Sequence, residues 1–140
     1  MEKNSPIIER VFTETRLHRT RPREQVLLFF SKHRLPVTIA AAHQALKKTG
    51  IDLASVYRSV NVFCQKGVLT AVDSVPKGKR YELSDHFRAH HHHLICQTCG
   101  KIEDFEDCFA RLVERKIQKA KKFTVKNHDF RFFGLCGACQ

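Results

Sequence analysis

Cys96-Gln-Thr-Cys99 and Cys136-Gly-Ala-Cys139 limit what this chain can fold into more than any other feature. Two residues between cysteines let a tight turn aim both sulfurs at one ion, and two such turns fill a tetrahedral shell. With every position taken by protein, such a site is structural rather than catalytic. The 36 residues between the pairs are more than a zinc ribbon usually needs, but they accommodate strands and a helix. The ion would tie the C-terminal strand back to the middle of the chain, and its binding energy would become folding energy. A redox dithiol is the competing reading of one pair; two pairs around a sheet–helix–sheet insert favour zinc. The other thiols, Cys64 and Cys108, read as small helix residues rather than ligands, although Cys108 lies near the histidine-rich region.

Immediately before the first pair stands His90-His91-His92-His93. On a strand, alternate side chains face opposite sides, so His91 and His93 share one face while His90 and His92 share the other. Each pair can offer two imidazoles to a metal. A carboxylate from elsewhere would complete a mixed nitrogen and oxygen shell: Asp104 after the first knuckle, with Glu82 or Asp85 from the preceding hairpin. A lone histidine would more simply be a solvated polar group; two alternating pairs beside a zinc knuckle point to ligands.

The formal charge of +11 favours a polyanionic partner, because each neutralised phosphate releases counterions. Charge alone identifies nothing, so a motif must carry the case. The opening residues lack the basic and apolar regions of a secretory signal, and no apolar run approaches a membrane span. The expected compartment is the cytoplasm, where thiols stay reduced and six cysteines point to metal.

The N-terminal part reads as short helices and a hairpin. A first helix over 7–15 leads through an arginine-rich joint to a second, with Pro22 in its first turn. Thr38 caps a third, ended by Gly50. From Asp52 to Gly67 a further helix buries Leu53, Val56, Val60 and Phe63. That leaves Ser55, Tyr57, Arg58 and Asn61 on or beside its outer face. VLTAVDSV and KRYELS form a hairpin with a basic tip at PKGK. Helices followed by a β-hairpin make the winged helix-turn-helix pattern, assigned to residues 1–85.

HFRAH reads as a linker into a smaller unit, residues 86–140. There HHLIC and KIEDF are strands around the first knuckle, and a helix is amphipathic through Phe109, Leu112, Val113 and Ile117. NHDFRFFGLC is a return strand. The fold class is therefore α+β: a winged helix-turn-helix domain plus a small α/β domain with a four-cysteine zinc site.

LASVYRSVNVF, YELSDHFRAHHHHLICQTCGKIEDF and GLCGAC together resemble the ferric uptake regulator (Fur) family of bacterial metal-responsive repressors. The resemblance covers nearly the whole chain in the family's order and approximate spacing. It implies a homodimer that binds operator DNA through the winged helix and dimerises through the C-terminal domain. Tyr57 and Arg58, with Ser55 beside them, match the recognition helix; Arg23 matches a contact before the second helix; Arg16, Arg19 and Arg21 lie near a basic minor-groove arm. Cys96, Cys99, Cys136 and Cys139 match the structural Zn2+ site. His91, His93, Asp104 and Glu82 match the regulatory site, and His90, His92 and His128 a further site of some members. The family's hinge histidine falls near Pro36, so His33, His43, His86 or Asp85 would complete the regulatory site. The helix glutamate of the further site falls near Arg111.

The implied function is metal-dependent repression of metal-uptake genes, with Zn2+ favoured as co-repressor over Fe2+, and Mn2+ as a further candidate. Iron sensing and peroxide sensing are the alternatives within the family. A zinc hydrolase would need an open metal position and a base, and nothing resembles H-E-x-x-H. A metal-storage protein would leave the winged helix unexplained.

Overall fold

The computed structural model describes residues 5–74 and 78–140. The chain forms two compact units, Met1–Ala89 and His90–Gln140.

In the first unit the helices are α1 (Pro6–Thr15), α2 (Arg21–Lys32), α3 (Ile39–Leu46, extended by a 3-10 turn Lys47–Thr49) and α4 (Leu53–Gln65). Side chains cap three of them: Thr20 accepts from the Arg23 N–H, Thr38 from the Ala41 N–H at 3.1 Å and Asp52 from the Ser55 N–H at 2.7 Å. Val56, Ser59, Val60 and Phe63 are the buried stripe of α4. Leu53, expected on that stripe, is 43% exposed: it is the first helical residue, a turn short of the packed face, and Ser59 takes a buried place instead. Ser59 is tolerated there because its hydroxyl donates to the Ser55 carbonyl at 2.7 Å.

The hairpin pairs β1 (Leu69–Ser74) with antiparallel β2 (Gly78–Leu83), Leu69 opposite Leu83. Val37 adds a short rung by exchanging two backbone hydrogen bonds with Tyr81. Residues 75–77 of the expected basic tip lie outside the described residues. Phe12, Phe30, Phe63, Leu27 and Val60 fill the core beneath these elements.

The expected linker HFRAH belongs largely to this unit. Phe87 is buried in the core, the Arg10 guanidinium lies 5.1 Å from its ring centre, and Arg10 also donates to the His86 carbonyl at 2.8 Å. The unit therefore ends at Ala89 rather than at residue 85, because an aromatic side chain holds the intervening turn down.

The second unit is a three-stranded sheet, β3 (His92–Cys96), β4 (Ile102–Phe105) and β5 (Arg131–Gly134), with α5 (Ala110–Lys121) between β4 and β5. The strand order is β4-β3-β5; β4 runs antiparallel to β3 and β5 parallel to it. The first knuckle turns at the β3–β4 connection, where Gly100 adopts φ +71°, a conformation other residues reach only with strain. β5 lies at an edge and ends beside the knuckle, the Gln97 N–H donating to the Gly134 carbonyl at 2.8 Å. The mixed α and β organisation is the expected one. No helix among the described residues is long and apolar enough to cross a membrane.

Candidate metal centres

The two Cys-x-x-Cys turns bring their four sulfurs within 4.8 Å of one another. Cys99 Sγ and Cys136 Sγ are 3.7 Å apart, close to the sulfur–sulfur edge of about 3.8 Å that tetrahedral zinc bonds of about 2.3 Å would give. The Cys99 N–H, and after it the Cys136 N–H that points at Cys96 Sγ across 3.4 Å, stabilise the Cys96 thiolate and lower its pKa to about 6. Cys139 is pushed the other way, to about 12, by its hydrogen bond to Cys136 and by the other sulfurs crowding it. Four thiolates cannot share this space without a cation, so the donor set fits zinc chemically as well as in size.

The histidine run divides by parity, although β3 itself begins at His92 and His90 and His91 only lead into it. His91 and His93 are both buried, their ring centres 4.8 Å apart. Strand register places Asp104 opposite His93, and His93 Nδ1 lies 3.5 Å from Asp104 Oδ1, longer than a well-made hydrogen bond. An imidazole and a carboxylate thus stand side by side on adjacent strands, with a second imidazole, that of His91, next to His93. Glu82, in the first unit, is buried at the end of β2, where Arg88 donates to its Oε2 at 3.0 Å.

The alternative hinge ligands have other occupations. His33 Nδ1 is 2.7 Å from the Phe29 carbonyl at the end of α2, and the ring packs on Phe29. His86 meets the Glu14 carboxylate at 2.6 Å, and Arg10 first, then His86, hold that carboxyl below its usual value. His43 is half-buried within α3, and Asp85 is exposed. Pro36, at the position of the family's hinge histidine, is fully buried.

On the opposite parity, His90, His92 and His128 converge, and a residue read from the sequence as a helix side chain joins them. Cys108 precedes α5 and is exposed, with Sγ 3.3 Å from His128 Nε2. Sequence spacing carried no signal for this contact, because the chain between residues 108 and 128 makes α5 and an irregular return before closing it.

On the outside of α4, Tyr57 is 49% exposed. Arg58 is exposed and donates to the Ser55 hydroxyl at 3.0 Å. Arg23 is half-buried and donates to the His18 carbonyl at 2.6 Å. Arg19 pairs with Glu24 and with Glu9, the latter at 2.6 Å; Glu24 first and then Glu9 raise its pKa, and the pair make it a clamp between α1 and α2. Arg21 donates to the Thr49 carbonyl, whereas Arg16 is exposed.

The model of the ferric uptake regulator family matches residues 14–133. The ferric uptake regulation protein of Campylobacter upsaliensis is 30% identical over 136 residues, covering 94% of this chain and 86% of that protein. That of Campylobacter jejuni is 33% identical over 97 residues, which span 69% of this chain but only 60% of the relative. The peroxide-responsive repressor PerR of Staphylococcus aureus is 31% identical over 126 residues, 87% of this chain and 82% of that protein. Among solved structures, the Helicobacter pylori ferric uptake regulator superposes with a TM-score of 0.80 at 24% identity, covering 96% of this chain and 91% of that one. The Vibrio cholerae ferric uptake regulator gives 0.72 at 26% identity, covering 91% and 98%.

Proposed function

The chain belongs to the ferric uptake regulator family, and from that premise we propose that it is a metal-dependent repressor of metal-uptake genes, with zinc as co-repressor. Members of this family are metal-responsive transcription regulators rather than enzymes. One observation carries the reading: the chain that presents an exposed Tyr57-Arg58 pair on a winged helix also gathers metal donors into separate clusters.

Cys96, Cys99, Cys136 and Cys139 hold the structural zinc. His91, His93 and Asp104 are the regulatory ligands, joined by Glu82, and His90, His92 and His128 belong to a further metal position. The bound regulatory metal supplies positive charge that lets imidazoles and carboxylates be held together. His91, His93, Asp104 and Glu82 then favour the DNA-competent conformer by the difference in metal affinity between conformers, and operator binding tightens metal binding reciprocally. Tyr57, Arg58, Ser55 and Arg23 contact operator DNA, and a homodimer in the cytoplasm presents two such helices. Acid weakens the switch, because a protonated imidazole has no lone pair for the metal.

Iron sensing is the second reading. It is favoured by Asp104, whose carboxylate beside His93 gives a harder shell than thiolate would; peroxide sensing would use the same ligands.

The test is promoter-DNA retardation titrated separately with Zn2+, Fe2+ and Mn2+ while the four-cysteine zinc stays in place. Retardation should appear only with the regulatory metal, at lowest concentration for Zn2+. Equal retardation after that metal is stripped overturns the co-repressor reading, and a lower requirement for Fe2+ transfers it to iron.

A further inference from the structure

Cys108 changes the chemistry of the cluster on the His90 and His92 side. The Nε2 atoms of His90 and His92 are 3.2 Å apart, those of His90 and His128 2.9 Å, and Cys108 Sγ is 3.3 Å from His128 Nε2. All four donor atoms lie within 4.8 Å of one another. Nitrogen at about 2.0–2.1 Å and sulfur at about 2.3 Å from a tetrahedral zinc would be about 3.3–3.6 Å apart. The donors therefore need only small adjustments to surround an ion.

Glu114, one turn into α5, explains the orientation of His128. Its Oε1 lies 3.2 Å from His128 Nδ1, on the side of the ring away from the cluster. A carboxylate only accepts, so neutral His128 carries its proton on Nδ1 and turns the Nε2 lone pair inward. His90 Nε2 faces both His92 Nε2 and His128 Nε2, and a neutral imidazole nitrogen with one proton can satisfy only one of them. The inward lone pair of His128, the crowded Nε2 atoms of His90 and His92 and a thiol sulfur form a socket for a cation, and the carboxylate behind an imidazole is the usual second sphere of a zinc histidine.

We propose that His90, His92, His128 and Cys108 form a closed zinc site with three imidazoles and one thiolate, oriented by Glu114. The proposal rests on reading the three histidines as a further metal position, and adds the fourth ligand, the positioning residue and the metal preference. Arg111, where the family would supply a glutamate, is exposed, so sulfur takes the place of oxygen in the shell. A thiolate with imidazoles selects zinc over manganese, which prefers carboxylate and water. It also differs in kind from the oxygen-bearing His91, His93 and Asp104 set, so one chain carries two non-equivalent exchangeable sites.

Co2+ reports this directly, because a cobalt–thiolate bond gives a near-ultraviolet charge-transfer band. Full-length protein with zinc in the four-cysteine site is titrated with Co2+, alone and as the Cys108→Ser, His128→Ala and Glu114→Gln variants. The unsubstituted protein should show the band, Zn2+ should displace it, and Mn2+ should not. Cys108→Ser and His128→Ala should lose it. Glu114→Gln should keep it while binding Co2+ about 10- to 100-fold more weakly; unchanged affinity there overturns the orienting role. A band that persists in Cys108→Ser arises at the other cysteines and overturns the proposal. Co2+ bound to the unsubstituted protein without sulfur character also overturns it, leaving the three histidines as ligands. No Co2+ at this cluster overturns both. Because Cys108 is exposed, a folding defect in its variant is not expected, and Zn2+ should also protect this thiol from alkylation in the unsubstituted protein. Promoter retardation on the same samples keeps the regulator reading separate: metal-dependent DNA binding without a sulfur band sinks only the Cys108 assignment.

Discussion

Asp52 shows how a single side chain ties α4 to pH. Its carboxylate accepts the Ser55 N–H at 2.7 Å, and Ser55 Oγ lies 3.1 Å from its other oxygen. These bonds, the backbone one first, hold its pKa below the ordinary 3.8. A lowered folded value means that the contribution is complete above the unfolded value and is lost as pH falls through the folded one. Asn caps as well as Asp but does not titrate. Thermal midpoints of the parent and Asp52→Asn, taken from about pH 6 to about pH 3, should therefore show the parent ahead at the upper end and the gap closing as acid is added. A constant gap would mean that the charge of Asp52 plays no part in capping α4. This cap was legible in the sequence, because a short polar acceptor ahead of an apolar stripe has one local use. Cys108 was not, since its neighbour His128 is far along the chain and only the return after α5 brings it back.

At the scale of elements, the parity of β3 was readable because strand alternation depends on local geometry alone, and the β3–β4 register then sets Asp104 against His93. The boundary at the hinge was not readable: HFRAH is polar enough to look like a linker, and only the core shows that Phe87 is held. α4 presents the most direct element-scale prediction. Arg58 is exposed on α4, where its guanidinium donates to the side chain of Ser55, so Arg58→Ala should leave folding and zinc content unchanged. If Arg58 reads a base, operator affinity should fall by about 1–3 kcal/mol with relaxed specificity at one position. If it contacts phosphate, binding should weaken evenly across sequences, and the salt slope should shrink by about one. Fluorescence anisotropy on operator and scrambled DNA across a salt series separates the two. Unchanged affinity for both DNAs would remove Arg58 from the interface.

At the scale of the whole molecule the two units are unequal in what holds them. The first has a core drawn from four helices and the hairpin, whereas the buried hydrophobic residues of the second are Ile95, Cys96, Ile102 and Ala110. In that unit Phe109, Leu112 and Val113 of the α5 segment stay exposed, as do Phe132 and Phe133 of β5 and Leu135 just after it. Phe132, Phe133, Leu135 and Leu94 also line an open cavity of about 300 Å³ beside the sheet. A unit this small rarely stands on such a core, so zinc and a second copy of the chain are the expected supports. The sequence pattern revealed the apolar stripe of α5 but not that the stripe would remain uncovered within one chain. The two supports can be separated. Phe133→Asp places a charge on the uncovered face without touching a sulfur, so sedimentation should report a monomer that still carries its four-cysteine zinc. On the proposed reading Cys139→Ser removes a ligand of the structural metal, so both the metal and the dimer should be lost, with the second unit unfolding. A Phe133→Asp protein that remains dimeric would move the interface to another surface. A Cys139→Ser protein that remains folded and dimeric would show that the apolar face suffices, and that zinc is not what holds the second unit together.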